Sequence, residues 1–156
     1  MLLDVVAYIE NVKNATTAIS KTSDDKHIEI TFCPHPPPLL SRFCIHTPDG
    51  ADMYWKPHVV TMEDDLAILV SMSVVVACIK SDYYVYQASL TYALAANPKL
   101  PLLPPKDMGL LRRPDREYIV VGFRFVPFAH PEGGFTLCVY DSRRANWKVY
   151  ALSLSP

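Results

Sequence analysis

Cys33-Pro34-His35 and Cys44-Ile45-His46 are the residues in this chain best suited to chemistry. Residues two apart on a strand share a face. Each Cys-His pair would then present two ligands together, and adjoining strands would assemble a Cys2His2 set for zinc. The spacing is not that of a zinc finger, and Pro34 stiffens the first pair. Buried thiols with capped or exposed imidazoles are therefore expected at Cys33, His35, Cys44 and His46, with no metal or other cofactor.

Hydrolytic chemistry would need a nucleophile on a sharp glycine-flanked turn, and no G-x-S-x-G occurs. The five histidines and many serines allow a triad to be imagined anywhere, which carries no information. Glu63-Asp64-Asp65 lacks the spaced oxygen set of a cation loop and reads as a cap or solvated turn before Leu66. There is no P-loop, no G-x-G-x-x-G and no C-x-x-C. The expectation is a protein without catalytic residues or a small-molecule substrate.

Residues that would touch a partner are easier to nominate. Asp82-Tyr83-Tyr84-Val85-Tyr86 places Tyr84 and Tyr86 on one strand face and Tyr83 with Val85 on the other. Core packing with hydroxyls at the rim is weighed there against a tyrosine-rich interface. Leu66 to Ile79 is an apolar run of 14 residues, two of them serine. A membrane-spanning helix needs about 20, so the run reads as a buried strand or strand pair, with Val74, Val75 and Val76 as its stickiest positions. Arg143 and Arg144 form a polar turn that would meet an acidic partner if it met one at all.

The elements that must position these residues are mostly strands. In Lys26 to Cys33, Ile28, Ile30 and Phe32 alternate with His27, Glu29 and Thr31, the pattern of a half-buried strand. Leu39 to His46 follows across a proline cluster, with a turn at Asp49-Gly50. Glu117 to Phe128 is apolar on both faces apart from Arg124, as expected of an interior strand covered on two sides. Phe135 to Tyr140, a polar turn at Asp141 to Asn146, and Trp147 to Leu154 complete a three-stranded meander. Leu2 to Val12 fits helical spacing or a strand equally, and the alanine-rich Gln87 to Ala96, stopped by Asn97-Pro98, suits a short helix.

The 156 residues are enough for one domain spanning 1–156. Half are hydrophobic and a fifth charged, a globular composition. Prolines number 14 and glycines only 5, and the prolines cluster at 34–38 and 98–105 as stiff connections. A net charge of −1 without a basic stripe offers no footprint for nucleic acid. Four cysteines follow a start, Met1-Leu2-Leu3-Asp4, that has no basic n-region, and the first 20 residues hold no arginine. A reducing, cytoplasmic setting with free thiols is the expectation.

In order along the chain, several phrases match a plant pattern: Ile30-Thr31-Phe32-Cys33 running into Pro36-Pro37, Ser41-Arg42-Phe43-Cys44-Ile45-His46, Glu63-Asp64-Asp65-Leu66-Ala67, Asp82-Tyr83-Tyr84-Val85-Tyr86, and Val139-Tyr140-Asp141-Ser142 with Trp147. Together with Asn14-Ala15-Thr16-Thr17-Ala18, they resemble the grass-expanded proteins grouped as domain of unknown function 1618. The resemblance covers nearly the whole chain but rests on the order of weak phrases. The segment that defines the family does not follow before Pro156, so the chain looks like the N-terminal half of such a protein. Residues 72–81 are more apolar than is usual in that family.

The last hairpin also resembles one of the propeller domains found behind F-boxes. About eight strands would make about two blades, too few for a closed propeller. The fold class expected is mainly β, a β-rich α+β chain of antiparallel meanders with one or two short helices. The functional expectation is a non-enzymatic protein-interaction module that meets a protein partner or itself. The competing one is a small toxin-like effector in grass stress, defence or genetic conflict.

Overall fold

A computed structural model describes residues 1–50, 53–75, 77–87, 108–126 and 134–152, excluding the side chains of 74, 75, 78, 80 and 124–126. The chain is mainly β and divides into two compact units, Met1–Lys99 and Leu100–Pro156. Length alone suggests a single core. The division falls inside the proline-rich stretch 98–105 of the sequence.

Among the described residues the first unit holds seven strands in two sheets. One is ordered β1 (Tyr8–Ile9), β4 (Arg42–His46), β3 (His27–Cys33), β2 (Ala18–Lys21), and the other is the meander β5 (Trp55–Glu63), β6 (Leu66–Val75), β7 (Cys78–Gln87). All pairs are antiparallel except β1 with β4. The sequence leaves residues 1–12 open between helix and strand, and the structure makes them extended because backbone partners flank them on both sides. Leu3 bridges Ser41 in parallel and Val6 bridges His58 in antiparallel fashion. Asp4 N–H donates to the Ser41 carbonyl at 2.8 Å, Ala7 N–H to the Pro57 carbonyl at 2.8 Å, and Val59 N–H to the Val5 carbonyl at 2.7 Å. Leu3 to Ile9 thereby joins the two sheets. Pro57, whose carbonyl faces Ala7, has no N–H to return to that segment, and the β5–β6 register shifts between Trp55 and His58.

Ile28, Ile30, Phe43, Ile45, Val59, Ala67, Leu69, Tyr84 and Tyr86 make the core between the sheets. The Phe43 ring meets the edge of Tyr86 at 5.2 Å and lies 5.1 Å from Phe32, favourable aromatic contacts. In β6 and β7 both faces are buried: Leu66 to Val70 and Tyr83 to Tyr86 are each at most 2% exposed. The beginning of the apolar run is thus a buried strand.

Because β1 and β2 lie on opposite sides of the β4–β3 pair, the chain between them crosses the outer face of that sheet. The Asn14-Ala15-Thr16-Thr17 phrase makes this crossing: the Thr16 hydroxyl takes the Phe32 N–H at 3.0 Å, and Thr31 donates to the Val12 carbonyl at 2.7 Å. Lys13 meets Glu29 at 3.0 Å. Side chains also stitch β7 to the β2 end of the first sheet. The Tyr86 hydroxyl donates to the Thr16 carbonyl at 2.7 Å, and the Ser23 N–H to Asp82 at 3.2 Å.

Among the described residues the second unit forms one antiparallel sheet in chain order, β8 (Met108–Arg112), β9 (Tyr118–Val126), β10 (Gly134–Asp141) and β11 (Asn146–Leu152). The three-strand meander expected here gains β8 as a fourth. In the last hairpin, Tyr140 stands opposite Trp147 with ring centres 5.2 Å apart, so an aromatic pair locks the returning strand.

Among the described residues the only helical turn is Pro114–Arg116. Gln87 ends β7, and the rest of the helix expected to Ala96 lies outside the described residues.

The β10–β11 turn ends at Ala145 with φ +49°, a conformation that crowds an L side chain. Ala145→Gly is expected to stabilise the hairpin by about 1 kcal/mol and to raise Tm by a few degrees in circular-dichroism melting. An unchanged or lower Tm would count against strain at this turn.

Candidate interaction surface

Alternation along β10 sorts the second unit into two faces. Cys138 and Tyr140 are buried, as are Tyr118 and Val120 on β9, and Tyr140 sits opposite Val120. The other parity carries Phe135, Leu137 and Val139. Leu137 faces Phe123 on one side and Tyr150 on the other, and Phe135 faces Leu152. On this face Phe123 is 48% exposed, Phe135 41%, Tyr150 47% and Leu152 40%. Cross-strand pairing makes these side chains immediate neighbours, so they form a continuous apolar patch rather than scattered exceptions.

The sequence reading of Glu117 to Phe128 as a strand covered on two sides is corrected here: β9 is interior by hydrogen bonding, but Phe123 opens to solvent. Apolar residues on both faces of a strand report its composition, and only the fold decides whether something lies over each face. β11 ends its sheet, with no further strand beyond it among the described residues, and Val149 is 60% exposed on its opposite face.

One end of this sheet is ringed with charge. Arg143 Nε donates to both carboxylate oxygens of Glu117 at 2.9 Å, and Arg113 meets Asp141 at 3.5 Å. Glu117 holds the Arg143 pKa above its ordinary value through that hydrogen bond. Arg144 is exposed, its N–H on the Asp141 carbonyl at 3.2 Å. Of the two arginines nominated for an acidic partner, Arg143 thus already holds an internal carboxylate.

The remaining nominated residues fall elsewhere. Tyr84 and Tyr86 are 0% and 1% exposed, so of the two readings weighed for them they take core packing and not a tyrosine-rich interface. They point into the core between the sheets, and their neighbours Tyr83 and Val85 are buried as well. Val74 and Val75 lie at the end of β6, opposite Ile79 and Cys78, and Val76 lies outside the described residues.

The two Cys-His pairs do not converge as four ligands. Cys33 and Cys44 approach to 3.6 Å between sulfurs, but His35 is exposed in the following loop, its N–H on Ser41 Oγ at 3.0 Å. His46 stands opposite Glu29. Among the described residues no group of three or more His, Cys, Asp or Glu is placed to hold a metal ion. No helix among them is long and apolar enough to cross a membrane. A cavity of ≈ 80 Å³ lies between the two sheets of the first unit, walled by Phe32, Phe43, Met62, Ala67 and Tyr86, well below the roughly 300 Å³ at which small-molecule sites begin. No family model, curated protein or solved structure matches this chain.

Proposed function

We propose that this chain is a non-enzymatic protein-interaction module, a relative of the grass-expanded family described above, and that it binds a partner protein or a second copy of itself through the open face of the β8–β11 sheet. The observation that carries this reading is the contiguous exposure of Phe123, Phe135, Tyr150 and Leu152. Aromatic residues are enriched in the centres of protein interfaces, and aromatic side chains supply much of the binding energy when such a patch is covered. The four-stranded meander and its Tyr140–Trp147 hairpin also suit a propeller-like blade, which in a propeller is covered by the next blade. The toxin-like alternative draws no support from Leu66 to Val70, which are buried.

Light scattering across a concentration series, with a parallel pull-down from plant extract, tests the reading. The wild-type chain is expected to self-associate or retain a partner, and Phe123→Asp and Tyr150→Asp are each expected to weaken that association at least tenfold while the circular-dichroism spectrum stays the same. A wild-type chain that remains monomeric and retains nothing that Phe123→Asp loses would end the proposal.

A further inference from the structure

We infer that Cys33 and Cys44 form a reversible oxidation site, a thiol pair built to close into a disulfide with a low-molecular-weight disulfide as oxidant. Cys33 is opposite Arg42 and Cys44 opposite Thr31 in the β3–β4 register, so the two cysteines are diagonal neighbours on the outer face of the sheet, away from the Ile28, Ile30 and Phe43 core. Their sulfurs lie 3.6 Å apart, and neither is engaged in a disulfide. The two ends of the pair differ. Cys33 is half-buried at the end of its strand, whereas Cys44 is 1% exposed, in mid-strand. Glu10, from the chain crossing this face, accepts from the Cys44 thiol at 3.8 Å, and the same carboxylate oxygen takes Arg42 at 3.1 Å. Burial, and then the hydrogen bond with Cys33, push the Cys44 thiol up to about 12.

This asymmetry assigns the roles. The Cys33 thiolate attacks one sulfur of the small disulfide RSSR; the RS–SR bond breaks, one RS⁻ leaves and takes a proton, and Cys33 carries the mixed disulfide. Cys44 then loses its proton to solvent and attacks the Cys33 sulfur. The mixed disulfide breaks, and the second RS⁻ leaves and is protonated. In sum, two protein thiols and RSSR give the Cys33–Cys44 disulfide and two RSH, with two electrons passing from the protein to the reagent. The second step requires the Cys44 thiolate, so closure accelerates as pH rises. The product links the two ends of the Pro34–Phe43 loop and constrains the unfolded chain more than the folded one.

Incubating the folded chain with oxidised glutathione, followed by intact-mass and peptide mapping, tests the site. The expected result is loss of the mass of two hydrogens, a linked peptide containing Cys33 and Cys44, reversal by a reducing thiol, and a Tm higher by roughly 5 °C in the oxidised form. Cys33→Ser should abolish all of these, and Cys138→Ser, at a buried cysteine of the other unit, should leave them in place. A glutathione adduct that persists on Cys33 without closure at any pH, or a two-hydrogen loss retained in Cys33→Ser, would overturn the inference. Because the wild-type peptide map alone identifies the linkage, instability of a variant does not blunt the test.

Discussion

Tyr86→Ala is expected to destabilise the first unit by about 4 kcal/mol, within the range for removing a buried aromatic ring. The ring is 1% exposed, meets Phe43 edge-on at 5.2 Å, and its hydroxyl caps the Thr16 carbonyl at 2.7 Å. Truncation therefore leaves a cavity between the sheets, uncovers Phe43, and removes one of the side-chain links between β7 and the chain leading into β2. Tyr86→Phe keeps the ring and loses only the hydrogen bond, which sets its cost at about 1 kcal/mol. Urea denaturation followed by far-ultraviolet circular dichroism measures both. A typical domain is stable by only about 5–15 kcal/mol, so the first variant should be close to unfolding at physiological temperature. Equal losses for the two variants would place the weight on the hydroxyl and refute the packing account.

The second large effect is alkaline unfolding. Burial pushes the Tyr83 hydroxyl up to about 12. Tyr84 is raised further, by burial first and then by the Asp82 carboxylate, and Tyr118 is raised by burial and the neighbouring Tyr140. An unfolded tyrosine titrates near 10. The fold thus favours the neutral phenol, and the stability these groups lend is whole below pH 10 and is lost as pH rises from there through 12. The expected observation is a cooperative loss of strand signal between about pH 10 and 12, in step with the rise of tyrosinate absorbance. Tyrosinate absorbance that rises fully near pH 10 while the strand signal stays intact would show these phenols to be solvated in the folded protein.

What the sequence reveals here depends on how local the cause is. Ile28, Ile30 and Phe32 announce their shared face because alternation is a property of seven consecutive residues, and the Tyr140 to Trp147 hairpin is visible because a polar turn and two aromatics lie within eight. The segment Leu3 to Ile9 is ambiguous in isolation because its partners, Ser41 to Ile45 and Pro57 to Val59, are remote, and they alone decide that it is extended. Tyr84 and Tyr86 suit either a core or an interface by type alone, and burial of both faces of β7 is a tertiary fact. The converse holds for Phe123. Its strand is apolar on both sides, and no periodicity distinguishes a covered face from an open one, so the proposed interaction surface is invisible in the sequence. The approach of Cys33 to Cys44 needs only the register of two strands, and the Cys-x-His spacing draws attention to those positions for a different chemistry.

The place of Leu3 to Ile9 between β4 and β5 also orders events in time. These residues are synthesised before every strand they join, and they must wait as unpaired chain until Ser41 and then His58 have been made. Closure of the first unit is therefore governed by long-range encounters, the slow kind in folding. A deletion at this end would not trim a tail. It would split a continuous hydrogen-bonded surface in two, leaving β4 and β5 each with a bare edge open to strands of other molecules.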